Sequence, residues 1–218
     1  VIDAVVKVGG SLGRGAGLPA LCSRLAEAGR RRGVLVVPGG GAFADLVREH
    51  EARFGLRPTA AHWMAVLAMD QYGHLLAALT PGCALVRSFE EARACLAERG
   101  VAILLPSELL RRADPLPHSW AVTSDSIAAW VAREAGAPLL VLVKDGMGMA
   151  ALKAVAPAAE SMSADELVAT RAVDEYFASL LREARFDLRL VDGERPERLA
   201  EALAGGGTGG VRIAPAGP

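Results

Sequence analysis

The sequence predicts an α/β fold, a three-layer αβα sandwich on a mainly parallel central sheet, and three observations lead to it. Short β-branched apolar runs alternate with stretches at helical spacing along the whole chain, and those runs end in glycine or in polar residues. One of them, residues 139–143, is apolar throughout, as a parallel strand covered on both faces must be. With 218 residues, 52% hydrophobic and 22% charged, the chain can bury a large core. No linker or repeat divides it, so a single domain over 1–218 is expected.

In order, residues 1–8 form the first apolar strand and run into Gly9-Gly10, and helical spacing from Pro19 to about Arg32 stops at Gly33. Residues 34–37 are the second strand, which ends at Pro38 and opens into Gly39-Gly40-Gly41 before a helix marked by Phe43, Leu46 and Val47. Past Gly55 and Pro58, Thr59 is positioned to cap a helix from Ala60 to about Leu79 whose apolar residues lie all round it. Such a helix is either central or packed on a partner subunit, so a homodimer or higher homo-oligomer is expected.

Residues 83–86 read as a third strand, Ser88 with Glu91 as a capping box for a helix ending near Gly100, and 101–105 as a fourth strand closed by Pro106. A short helix to about Ala113 and a proline-rich bend lead to Thr123-Ser124-Asp125, a run of capping side chains ahead of a helix over 126–135. The central strand then ends in Lys144-Asp145-Gly146. Periodicity loosens over 150–162, and Ser163 with Glu166 forms a second capping box. A helix over 173–183, a strand over 188–191, a helix over 196–204 and an edge strand over 211–213 complete the pattern.

A formal net charge of -1 and a pI near 6.5 give no reason to expect nucleic acid or an acidic membrane as partner. No stretch has the length of a membrane span, the start is strand-like rather than signal-like, and a cytoplasmic protein is expected. Cys22, Cys83 and Cys95 are widely spaced with no CxxC pair, so neither a disulfide framework nor a protein-held metal is expected.

The chemistry gathers at strand ends, where open α/β sheets bind their ligands. Among 24 basic residues only Lys7, Lys144 and Lys153 are lysines, each at or just past a strand end. In Lys7-Val8-Gly9-Gly10-Ser11 a strand delivers a cation and then bare backbone amides to one point, a construction suited to an anion. A helix starting near Asp125 points its amides to the same side. The Walker A pattern is absent, and Gly13-Arg14-Gly15-Ala16-Gly17 matches the dinucleotide fingerprint only loosely.

Lys7 to Ser11, then Gly39 to Gly41, then Thr123-Ser124-Asp125-Ser126 ahead of a helix, in that order, resemble the amino acid kinase family over nearly the whole chain. The stretches 62–73 and 117–128 look like its branch that phosphorylates aminomethyl-furanmethyl phosphate in methanofuran biosynthesis. The resemblance implies transfer of the γ-phosphoryl group of ATP, accompanied by Mg²⁺, to an anionic oxygen of a small-molecule acceptor. It implies Lys7 as the catalytic cation oriented by Asp145, with Gly9, Gly10, Ser11, Gly40 and Gly41 around the phosphates. Gly39, Arg48 and His62 would meet the acceptor's own phosphate, Asp70 an aminomethyl cation, and Asp125 either the acceptor or the helix entrance.

Many members carry a second lysine before the penultimate helix; here 170–176 has none, so Lys144, Lys153 or Arg171 would substitute, with Thr208 a further nucleotide contact. Met147 stands where the family's central loop usually has an aspartate. Two alternatives remain at this level: a nucleotide- or oxyanion-binding protein without turnover, and a carboxylate or carbamate kinase that makes an acyl phosphate.

Overall fold

The protein is described from a computed structural model, which describes residues 1–155, 161–182, 184–204 and 210–213. Thr208 therefore lies outside the described residues, as do the glycines at 205–207 and 209.

The first half comprises β1 (Ala4–Val8), α1 (Leu18–Gly29), β2 (Gly33–Pro38), α2 (Gly41–Phe54), α3 (Pro58–Leu79), β3 (Ala84–Val86), α4 (Phe89–Cys95), β4 (Gly100–Leu104) and α5 (Pro106–Ala113). The second comprises α6 (Ser124–Ala135), β5 (Leu139–Lys144), α7 (Gly146–Val155), β6 (Ser161–Met162), α8 (Ala164–Ala169), α9 (Phe177–Leu181), β7 (Asp187–Asp192), α10 (Pro196–Ala204) and β8 (Val211–Ile213). The strands form one eight-stranded sheet in the order β3-β4-β2-β1-β5-β7-β8-β6. All its pairs are parallel except β7 with β8.

β1 is the topological switch point, because the chain leaves it for β2 on one side and returns to β5 on the other. The register sets Lys7 level with Val37 and Leu142, so the carboxyl ends of β1, β2 and β5 converge. Every residue of β1, β2 and β5 is buried. Alternation then sorts them onto two apolar layers: Val5, Leu35, Val37, Leu140 and Leu142 pack under α6, while Val6, Val8, Val34, Val36, Val141 and Val143 pack with side chains of α1 and α10.

α3 crosses the carboxyl edge of the sheet rather than lying along a face. Its Val66 and Met69 join one layer, and its Tyr72 and Leu76 the other. Gly73 permits the crossing, since a Cβ there would come within 2.9 Å of Leu105 Cδ2. The helix is thus central, although it also turns Met64, Leu67 and Leu75 outward.

Several boundaries differ from the sequence expectation. Pro58 occupies the first turn of α3 with no side-chain cap, and the Thr59 hydroxyl instead meets His118 Nδ1 at 3.3 Å. α6 begins at Ser124 with Thr123 as its N-cap. The helix expected over 173–183 is only α9, and α4 ends at Cys95, well before Gly100. Where periodicity loosened, α7 forms directly after β5. The Ser163–Glu166 capping box is present in full. No described helix is long and apolar enough to cross a membrane.

Candidate active site

Lys7 on β1 and Lys144 at the end of β5 project to the sheet face covered by α6, whose first turn sets Asp125 above them. Asp125 Oδ2 accepts a 2.6 Å hydrogen bond from Lys144 Nζ, and Oδ1 stands 3.0 Å from Lys7 Nζ. The Oδ1 contact lacks hydrogen-bond alignment, so charge attraction is what holds Lys7 there. All three residues are at most 7% exposed.

Burial alone would raise the Asp125 pKa, but Lys144 and then Lys7 outweigh it and hold the carboxylate at about 2. Burial pulls Lys144 down to about 8; Asp125 resists that shift, and Lys7 adds to it. Two ammonium groups on one carboxylate leave net positive charge where water is nearly excluded, and an anion at the strand ends would neutralise it. The carboxylate in contact with Lys7 is therefore Asp125, whereas the family resemblance implies the orienting role for Asp145. Asp145 instead accepts from Gly148 N at 2.8 Å and from the Ser11 hydroxyl. Its pKa is lowered, since those bonds and the two lysines overcome the opposing effect of burial.

Asp174 secures this arrangement from the other end. Its carboxylate accepts from Thr123 N and Oγ1 at 2.9 and 2.8 Å, from Ser126 N at 3.0 Å, from the Ser126 hydroxyl, and from Phe177 N at 3.0 Å. An acceptor fully engaged at the mouth of α6 fixes where Asp125 sits.

The two glycine loops interlock beside this trio. A Cβ on Gly10 would lie 2.0 Å from Gly41 N, one on Gly39 would lie 2.4 Å from Gly10 N, and Gly41 has φ +54°. Gly9 N donates to Val143 O at 3.0 Å and Gly39 N to Val8 O at 2.9 Å, so those amides serve the strand ends rather than a ligand. Tyr72 braces the first loop, its hydroxyl donating to Gly9 O at 3.3 Å. Gly10, Gly40 and Gly41 line a cavity of about 290 Å³, and α2 begins there with no side-chain cap on its first amides.

Arg14, Arg48, His62 and Trp120 complete the walls of that cavity. The Arg48 guanidinium lies 4.0 Å over the Trp120 ring and 3.3 Å from Asp45, which also pairs with Arg14. His62 stacks on His118 at 4.2 Å, and burial first, then the neighbouring His118, lowers its pKa to about 4. A second cavity, of about 330 Å³, shares Ser11 and Arg14 with the first and reaches Asp145, Gly146, Gly193 and Glu194.

Of the residues singled out from sequence, the structure thus brings together Lys7, Ser11, Gly10, Gly40, Gly41, Arg48, His62, Asp125, Lys144 and Asp145. Asp70 is turned away, accepting from Ser107 N at 3.1 Å and from the Ser107 hydroxyl at the start of α5. Lys153 is exposed on the last turn of α7 and borders neither cavity. Sequence reasoning missed Arg14, Trp120, Asp174 and Glu194. Arg14 lies within the loosely matching glycine stretch, and Asp174 within the very segment searched for a lysine. Among the described residues no cluster of His, Cys, Asp and Glu is arranged to hold a metal ion.

Comparison with known proteins places the fold among kinases. Residues 4–175 match the model of the amino acid kinase family. The chain is 30% identical over 203 residues to the [5-(aminomethyl)furan-3-yl]methyl phosphate kinase of Methanocaldococcus jannaschii, covering 92% of this chain and 93% of that one. Among solved structures it resembles uridylate kinase from Archaeoglobus fulgidus at TM-score 0.74 and 20% identity, over 98% of this chain and 100% of the other. UMP kinase from Ureaplasma parvum matches at TM-score 0.74 and 14% identity, with the same coverage. The chain belongs to the amino acid kinase family.

Proposed function

We propose that this phosphotransferase moves the γ-phosphoryl group of ATP onto the phosphate of a small phosphate monoester, making a diphosphate, as a step in methanofuran-type cofactor synthesis. A bond forms between an acceptor phosphate oxygen and the γ-phosphorus while the bond to the β-phosphate oxygen breaks, and ADP leaves with that electron pair. Two buried ammonium groups on Asp125, beside a cavity walled by Arg14, Arg48 and bare glycine amides, carry this reading. Asp125 is held at about 2 and His62 at about 4, and Asp145 is also lowered, so none of them removes an alcohol's proton efficiently near neutral pH. A phosphate monoester is already ionised there, with a second pKa of about 6, and brings its own anionic nucleophile.

Arg14, Arg48 and the amides of Gly10, Gly40 and Gly41 would hold the acceptor phosphate, and the named activity of the Methanocaldococcus relative supports that assignment. Lys7 and Lys144 would meet the transferring group from beneath, neutralising charge that spreads over its oxygens. The second cavity fits the nucleotide side, with Ser11 at the junction. Mg²⁺ bound to the nucleotide phosphates would contribute further neutralisation, and Asp145 and Glu194 are carboxylates on that cavity's wall. The outward Met64, Leu67 and Leu75 of α3, with Phe43 and Leu46 of α2, support a homo-oligomer through these helices.

The test is ³¹P NMR of the protein with ATP, Mg²⁺ and [5-(aminomethyl)furan-3-yl]methyl phosphate. The expected result is an acceptor-dependent diphosphate that Lys7→Ala suppresses roughly 10²- to 10³-fold. ATP binding without any acceptor-dependent product, or an acyl phosphate trapped by hydroxylamine with carboxylic acids, contradicts the reading.

A further inference from the structure

The acceptor cavity does not end at Trp120. A smaller space of about 190 Å³ shares His62, Ala65, Trp120 and Val122 with it and is bounded on its far side by Glu51 of α2. Glu51 follows Arg48 by about one turn, so the two side chains point to the same side of the helix. Its carboxylate is half-buried and accepts a hydrogen bond from the Trp120 indole N–H, and among the described residues it pairs with no cation.

Each neighbouring carboxylate is already engaged. Asp45 is paired with Arg14 and Arg48, Asp125 with Lys7 and Lys144, and Asp70 with Ser107. Two imidazoles share the space with Glu51. His62, held at about 4, is neutral at physiological pH, and His118 is turned toward Asp114 at 2.8 Å. A carboxylate desolvated on one side and steered by an indole faces a pocket that continues from the cavity proposed for the acceptor phosphate.

We infer that Glu51 reads the positively charged end of the acceptor, so that the site selects phosphate monoesters carrying a primary ammonium at the far end from the phosphate. This rests on the phosphate-acceptor reading above and deepens it. Trp120 serves both ends, placing its face under Arg48 and its N–H on Glu51. A flat ring between phosphate and amine would lie along the wall formed by Trp120 and His62.

The test compares two acceptors on the full chain with ATP and Mg²⁺: [5-(aminomethyl)furan-3-yl]methyl phosphate and its analogue with a methyl group in place of the aminomethyl. Wild type is expected to favour the amine by roughly 10- to 100-fold in kcat/KM, the range for a charge-assisted hydrogen bond. Glu51→Gln, which keeps an oxygen for the indole, is expected to lose that preference by raising KM for the amine roughly 10- to 100-fold and KM for the methyl analogue far less. An equal loss on both acceptors would make Glu51 a support for Trp120 only and overturn the inference. Turnover of both acceptors by wild type without preference overturns it while leaving the kinase reading intact. Turnover of neither removes the kinase reading and the inference with it. An unchanged melting temperature for Glu51→Gln excludes misfolding as the cause.

Discussion

Beneath α6 the side chains of Lys7, Asp125 and Lys144 are 6% to 9% exposed, whereas Arg14, Asp45 and Arg48 at the mouth of the acceptor cavity are 40% to 64% exposed. Both regions place two cations around one aspartate. The buried trio sits where charge is weakly screened, so its attractions are strong and an unpaired member is costly. The mouth is open to water and salt, so its pairs contribute little to stability and rearrange readily around an arriving anion. The difference suggests a division of labour: the dry trio stabilises the transferring group, and the wet trio gathers and orients the acceptor.

The largest expected effect is therefore at Asp125. Asp125→Ala leaves two buried ammonium groups without a counter-charge and is expected to cost about 3–5 kcal/mol in chemical denaturation, as breaking a buried pair does. Acid weakens the same contact. The folded pKa of Asp125 lies below its ordinary 3.8, so its stabilisation is present above that value and is lost as pH falls toward about 2.

Lys144 carries the opposite charge and supplies the next test. Its folded pKa of about 8 lies below the ordinary 10.5, so it binds fewer protons folded than unfolded between those values, and its contribution to stability rises with pH across that window. Activity should move the other way. If the ammonium is required, kcat/KM falls above about pH 8, and Lys144→Arg removes that alkaline limb from whatever rate remains.

Smaller effects are expected at the mouth. Arg48→Ala removes the proposed phosphate donor and the cation over Trp120, and should raise the acceptor KM roughly tenfold with little change in kcat. Asp45→Ala should alter stability by no more than about 1 kcal/mol, as a screened pair does. A loss at Asp45 equal to that at Asp125 would break the comparison.

Much of the scaffold was legible in the sequence. The apolar runs of β1, β2 and β5 and the glycines after them mark the converging strand ends directly, because period and backbone permissiveness are local properties. Partnerships across the chain were not legible. Nothing local tells that Asp125 rather than Asp145 meets Lys7, since that depends on α6 lying over β1 and β5. No lysine stands at 170–176; Lys144 reaches Asp125 from the neighbouring strand, and the 170–176 segment contributes Asp174 as the lock on α6. α7 escaped notice because Gly146 and Gly148 weaken a helical pattern, yet their bareness is used: a Cβ on Gly146 would lie 2.8 Å from Glu194 Oε1, and one on Gly148 3.2 Å from Lys144 Cβ. Asp70 looked available on a polar position of α3, and only the packing of α5 reveals that it is engaged with Ser107.

The central claim is that Lys7 and Lys144, joined through Asp125, act as one device on the transferring phosphoryl group. Single-turnover rates of Lys7→Ala, Lys144→Ala and the double variant test it most directly. If the pair works as a unit, the double variant is scarcely slower than the worse single variant. Losses that multiply would mean that the two lysines act independently and would contradict the account.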